Sequence, residues 1–93
     1  MKDIEITKMY MPMMSDTLMQ WKYKSCTANF GVGDTWATLY DIRSLEEGKG
    51  HATYLLTEAK KHYEAQGKAF GGTVALNDGV SRIYKKLGIK EYA

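Results

Sequence analysis

At 93 residues the chain is long enough for one domain with a modest core and too short for two. With 44% hydrophobic and 26% charged residues, and 13 basic against 11 acidic for a net charge of +2, it has the composition of a soluble globular protein and no basic block that argues for nucleic acid. The single cysteine, Cys26, excludes an internal disulfide and points to a reducing, cytoplasmic setting, and no apolar run approaches the ~20 residues of a membrane span.

Ile4 to Tyr10 reads as a short strand with Ile4, Ile6 and Lys8 on one face. Met9 to Met14 then holds four of the six methionines around the only proline, Pro12, which argues against a central strand at that point. The cluster fits flexible filling of an irregular core surface, or an adaptable apolar lip for an acceptor or a second subunit. From Thr17 the alternation is clean, with Thr17, Met19, Trp21 and Tyr23 facing one way and Leu18, Gln20, Lys22 and Lys24 the other. Ser25 to Phe30 either continues this strand or begins another. Gly31-Val32-Gly33-Asp34 is a turn signal, and Thr35 to Arg43 returns as a strand with Trp36, Thr38, Tyr40 and Ile42 on one face and Ala37 and Leu39 on the other. Apolar residues on both faces predict a central place in the sheet.

Ala52, Leu55, Leu56, Ala59 and Tyr63 recur at helical spacing, with Glu58, Lys60, Lys61 and Glu64 opposite and Gly67 in the position that ends a helix. His62, beside Lys60 and Lys61, is expected on the solvated face. Lys68 to Ala75 is the next strand, and the paired Gly71 and Gly72 inside it mark a bulge or the close approach of another chain or a ligand. Asn77 has the character of an N-cap for a second helix striped by Val80, Ile83, Tyr84 and Leu87, which Gly88 stops before a last strand over Ile89 to Tyr92. The order predicts an α/β (α+β) domain with a mixed sheet and two helices.

The stretch with chemical content runs from Ile42 to Leu56. A strand ends, a charged turn carries Gly48 and Gly50, and a helix starts at once. Glycines let backbone N–H groups approach a phosphate, and a helix start adds partial positive charge. The spacing is not that of a dinucleotide fingerprint, because position 53 is Thr53, and no phosphate-loop motif with G-K-S/T is present. Glu47-Gly48-Lys49-Gly50-His51-Ala52 resembles the motif Q/R-x-x-G-x-G/A of the GNAT family of N-acetyltransferases. A second match follows in order. Asn77, Val80, Ile83, Tyr84, Lys86 and Gly88 fall in register with the family pattern N-x-x-A-x-x-L-Y-x-K-x-G-F, with Ile89 at the Phe position, and Ile42 and Ser44 lie where the family has V-x-P. The resemblance covers about residues 35 to 93.

It implies a single GNAT-like acyl-coenzyme A-binding domain over 1–93, transferring an acetyl group from acetyl-coenzyme A to an amine. In the family the cofactor arm lies between two splayed parallel strands, here those ending near Ile42 and Val74. Backbone N–H groups from Gly48 to Ala52 would hold the pyrophosphate with Lys49 adding charge, Asn77 would contact the cofactor arm, and Tyr84 would protonate the departing thiolate. No residue is assigned to a metal. Tyr84 also reads as plain core and Asn77 as only a cap, and His51 stands where the family has an aliphatic residue. Glu47 departs from the family's Gln or Arg and brings a carboxylate close to a pyrophosphate. Asp41 and Glu46 are weighed as the base that deprotonates the acceptor, and both also read as surface carboxylates.

Family members carry two helices ahead of the central sheet that form a wall of the acceptor site. Only about 34 residues precede Thr35 here, without a strong amphipathic helix, so that wall is expected to be reduced or absent. An exposed protein lysine is then favoured as acceptor over a small metabolite. A homodimer through the N-terminal third is expected to cover an unpaired sheet edge. The alternative is a non-catalytic module of the same fold that binds coenzyme A or a partner protein.

Overall fold

Two-residue alternation carries the first half of the chain into an antiparallel meander, and 3.6-residue periodicity carries the second half into helical crossovers. The computed structural model describes residues 3–9, 17–45, 50–73, 75 and 78–92. Its elements are β1 (Ile4–Met9), β2 (Thr17–Tyr23), β3 (Cys26–Val32), β4 (Trp36–Ser44), α1 (His51–Ala65), β5 (Ala69–Thr73), α2 (Asp78–Leu87) and β6 (Lys90–Tyr92). They form a small mixed α+β domain with one six-stranded sheet in the order β1-β2-β3-β4-β5-β6. The first four strands pair antiparallel, while β4, β5 and β6 run parallel through the two helices. Ser25 belongs to the β2–β3 turn, where Lys24 takes a positive φ of 52°, so Cys26 begins a separate strand. Seven residues, 10–16, join β1 to β2; they lie outside the described residues, and with them all but one of the methionines of the N-terminal cluster.

Register fixes which side chains face the helices. Trp21 pairs with Ala28, Met19 with Phe30, and Phe30 with Leu39, so the buried row crosses β2, β3 and β4, while Ile6, the β1 partner of Trp21, is exposed. The inner face of α1, Leu55, Leu56, Ala59 and Tyr63, closes over it. Trp21 is the centre. Its ring meets Phe30 edge-on at 6.0 Å, and its indole N–H donates to the Tyr63 hydroxyl at 2.9 Å. Phe70 stacks on Tyr63 at 6.2 Å. Phe70 and Gly72 share one side of β5, and a Cβ at Gly72 would collide with the Tyr84 hydroxyl. Both helices therefore lie on the same face, as two right-handed crossovers stepping in one direction require.

The expected alternation of β4 fails at one residue. Phe30 pairs with Leu39 and Asn29 with Asp41, so Tyr40 is an extra residue, a β-bulge. Beyond it Ile42 pairs with Ala28 and packs against the core, on the side of Ala37 and Leu39 rather than with Trp36 and Thr38. His62 also departs from expectation. Its ring lies edge-on to Trp21 at 5.3 Å and is partly buried, while Lys60 makes the solvent-side pair with Glu64 at 2.9 Å. Among the described residues no helix is long and apolar enough to cross a membrane.

Cys26 is fully buried in this core, and burial pushes its thiol up from 9.0 to about 11. The unfolded chain thus releases the thiol proton first. The thiol's contribution is intact below pH 9 and is lost as pH rises toward 11, by roughly 2–3 kcal/mol in all. Thermal unfolding at pH 8 and pH 10 should show the native protein losing more stability than Cys26→Ala over that interval. An equal loss in both would place the alkaline sensitivity elsewhere.

Candidate functional site

The parallel ladder between β4 and β5 is short. It runs from Trp36–Ala69 to Leu39–Gly72 and stops, although β4 continues to Ser44. The bulge at Tyr40 begins at the next residue, and bulges bend the strand that carries them. The paired segment thus ends with β5 itself at Thr73 while β4 runs on past the bulge, which leaves the edge of β4 beyond Leu39 without a ladder partner in β5 at the carboxyl end of the sheet, where open α/β sheets bind ligands. Thr73 marks this end. Its hydroxyl donates to the carbonyls of Leu39 at 3.3 Å and Tyr40 at 3.5 Å, and its own carbonyl accepts the Tyr84 hydroxyl at 3.0 Å. Tyr84 is buried, at 6% exposure, and its phenol is raised above its ordinary value by burial and then by the negative charge of Glu91. It is held as a neutral hydroxyl at the end of β5.

The start of α1 lies at the same end of the sheet, since α1 follows the carboxyl end of β4. Gly50 is its N-cap, in left-handed geometry at φ 77° and ψ 7°, with no side-chain cap and no acidic residue in the first turn. The first intrahelical bond runs from Tyr54 N–H to the Gly50 carbonyl, so the N–H groups of His51, Ala52 and Thr53 precede the ladder that would satisfy them. The His51 ring stands edge-on to Tyr23 at 5.5 Å, and its Nδ1 is buried without a hydrogen-bond partner. A left-handed glycine before uncapped N–H groups and the absence of carboxylates from the first turn fit an anion such as a phosphate.

Of the residues expected at the site, Gly50, His51 and Ala52 are together at the start of α1, Tyr84 bonds the Thr73 carbonyl at the end of β5, and Ile42 is on β4 with its side chain toward the core. Glu47, Gly48, Lys49 and Asn77 lie outside the described residues, as do Glu46 and Val74. Asp41 stands beside Arg43 at 3.5 Å on the face away from the helices, opposite Asn29. The expectation for Gly71 and Gly72 is corrected. Gly71 lies under the ring of Tyr92 and Gly72 under Tyr84, so the chain's own tyrosines occupy the space that two missing side chains leave.

Thr73 and the bulge are what the sequence reading missed. The bulge had a signal, because the apolar positions Ala37, Leu39 and Ile42 are spaced by two and then by three. Thr73 had none, since a threonine in a strand is ordinary. A hollow of about 830 Å³ bordered by Lys8, Trp36, His62, Tyr63, Gln66 and Lys68 opens at the other end of the domain, past the last turn of α1. A helix of 15 residues puts it roughly 22 Å from the start of α1, so it is separate from the candidate site. Compared with protein-family models, curated proteins and solved structures, the chain matches none.

Proposed function

We propose that the protein is an N-acetyltransferase of GNAT type that acetylates an amine. The observation that carries this reading is the coincidence of three features at one end of the sheet: the end of the β4–β5 ladder after Leu39–Gly72, the Tyr84 hydroxyl beside it, and the uncapped start of α1. The order of strands and helices and the two motif resemblances support it. Acetyl-coenzyme A would supply an acyl group activated as a thioester. The N–H groups of His51, Ala52 and Thr53 would hold its phosphates, with Gly48 and Lys49 adding to them, and the edge of β4 beyond Leu39 would receive its arm. Tyr84 keeps at Oη the proton that a departing thiolate takes up, and it stays protonated at neutral pH because burial raises its phenol. A protein lysine is the favoured acceptor, because the seven residues between β1 and β2 are too few for the two helices that wall the acceptor site elsewhere in the family.

A second reading has its own observation. The Tyr84 hydroxyl is spent on the Thr73 carbonyl and nearly enclosed, as suits a scaffold residue in a module that binds coenzyme A or a partner without catalysis.

Calorimetric titration with acetyl-coenzyme A tests the shared part of both. Micromolar binding is expected for the native protein, with at least a tenfold loss in Gly50→Trp, which places a bulky side chain over the helix start. Far-UV circular dichroism of that variant separates a filled site from an unfolded chain. Absence of binding heat with the native protein would overturn the cofactor assignment.

A further inference from the structure

Resting on the role of Tyr84 proposed above, we infer that Glu91 is the positioning residue for the Tyr84 phenol, tying down the chain at the end of β5 and keeping the hydroxyl a proton donor. Glu91 pairs with Gly72 across the parallel β5–β6 ladder, and directly paired residues share a face. The Tyr84 hydroxyl lies over Gly72 on that same face, so carboxylate and phenol are neighbours across one ladder step. The carboxylate has a second engagement. Its Oε1 accepts the backbone N–H of Ala75 at 3.1 Å, two residues past the Thr73 carbonyl on which the phenol rests. One side chain of β6 thus holds the chain where it leaves β5 and sets a negative charge beside Tyr84.

Among the described residues, the charged groups of β6 and α2 other than Glu91 lie on the other face of the sheet or on the exposed side of the helix. Lys90, the neighbour of Glu91, pairs with Gly71 and lies over the Tyr92 ring on the other face of the sheet, at 5.7 Å. On α2 itself, Asp78, Arg82, Lys85 and Lys86 are exposed, whereas Tyr84 points inward. A carboxylate beside a phenol opposes formation of the phenolate, and burial acts in the same direction. Tyr84 therefore remains a donor at pH values where an exposed tyrosine begins to ionise. Reach to Ala75 and a negative charge are separable properties, and glutamine keeps only the first.

The test uses the full chain labelled with 3-fluorotyrosine, whose phenols titrate at lower pH, where the fold is intact. Fluorine NMR follows each tyrosine, and Tyr84→Phe identifies the Tyr84 signal. In Glu91→Gln the Tyr84 titration midpoint is expected to fall, with the thermal midpoint unchanged because the amide oxygen still accepts from Ala75. In Glu91→Ala the titration midpoint falls similarly and the thermal midpoint falls as well. A Tyr84 midpoint in Glu91→Gln equal to that of the native protein overturns the proposal, and this variant suffices if Glu91→Ala does not fold. The readout requires no turnover. A shifted midpoint in a protein that gives no heat with acetyl-coenzyme A would uphold the part played by Glu91 and reject the acetyltransferase reading.

Discussion

Trp21→Ala is expected to lower the unfolding free energy by about 3–5 kcal/mol, measured by urea denaturation. Trp21 is fully buried between the sheet and α1, touching Phe30, His62 and Tyr63, and its removal empties the middle of an aromatic cluster that joins β2, β3 and the helix. The indole also supplies the donor for the Tyr63 hydroxyl at 2.9 Å. Without it that hydroxyl is buried with no donor, which adds about 1–3 kcal/mol unless water enters the gap. Small domains have about 5–15 kcal/mol in total, so a protein of 93 residues is left near the edge of folding. Trp21→Phe keeps an aromatic ring and loses the N–H, and should fall between the native protein and alanine. A loss below about 1 kcal/mol in the alanine variant would mean that α1 is held by other contacts.

Tyr84→Phe carries the largest expected effect on activity, a fall in turnover of roughly 10²–10⁴-fold with coenzyme A affinity retained, as removal of a general acid predicts. The ring still covers Gly72 and still fills its place in the core, so only the hydroxyl and its bond to the Thr73 carbonyl are lost. That bond accounts for about 0.5–1.5 kcal/mol of stability, too little to unfold the domain. Initial-rate assays on an amine acceptor, run beside calorimetric titration, separate the outcomes. Unchanged turnover would assign the proton to another donor. A native protein that binds coenzyme A without any turnover would favour the non-catalytic module.

Most of the fold was legible because its elements follow local rules. The helix periodicities placed α1 and α2 within a residue or two, and Gly67 and Gly88 end them with φ of 80° and 69°. The alternation from Thr17 to Tyr23 put on one face of β2 the three residues that join the core, Met19, Trp21 and Tyr23. What escaped depends on contacts far apart in the chain. Gly71 and Gly72 read as room for a ligand, and only the folded chain brings Tyr92 and Tyr84 over them. His62 sits among charged neighbours in sequence and against Trp21 in space, 41 positions away. At the candidate site the helix start and Tyr84 were evident from residue type and spacing, whereas Thr73 and Glu91 act through backbone groups that no side-chain pattern records.

Eight residues of β4, Ala37 to Ser44, lie against seven of β3, Cys26 to Val32. Excising Tyr40 would leave every one of those seven partnerships in place, with Leu39 still opposite Phe30 and Asp41 still opposite Asn29. No other side chain would change face. What would vanish is the bend that the bulge gives β4. The course of β4 beyond Leu39 is therefore encoded separately from the core beneath it, in a single codon whose loss the β3–β4 pairing could absorb. Descendants of such a sequence could redirect the end of β4 by one insertion or deletion, without relearning how to fold.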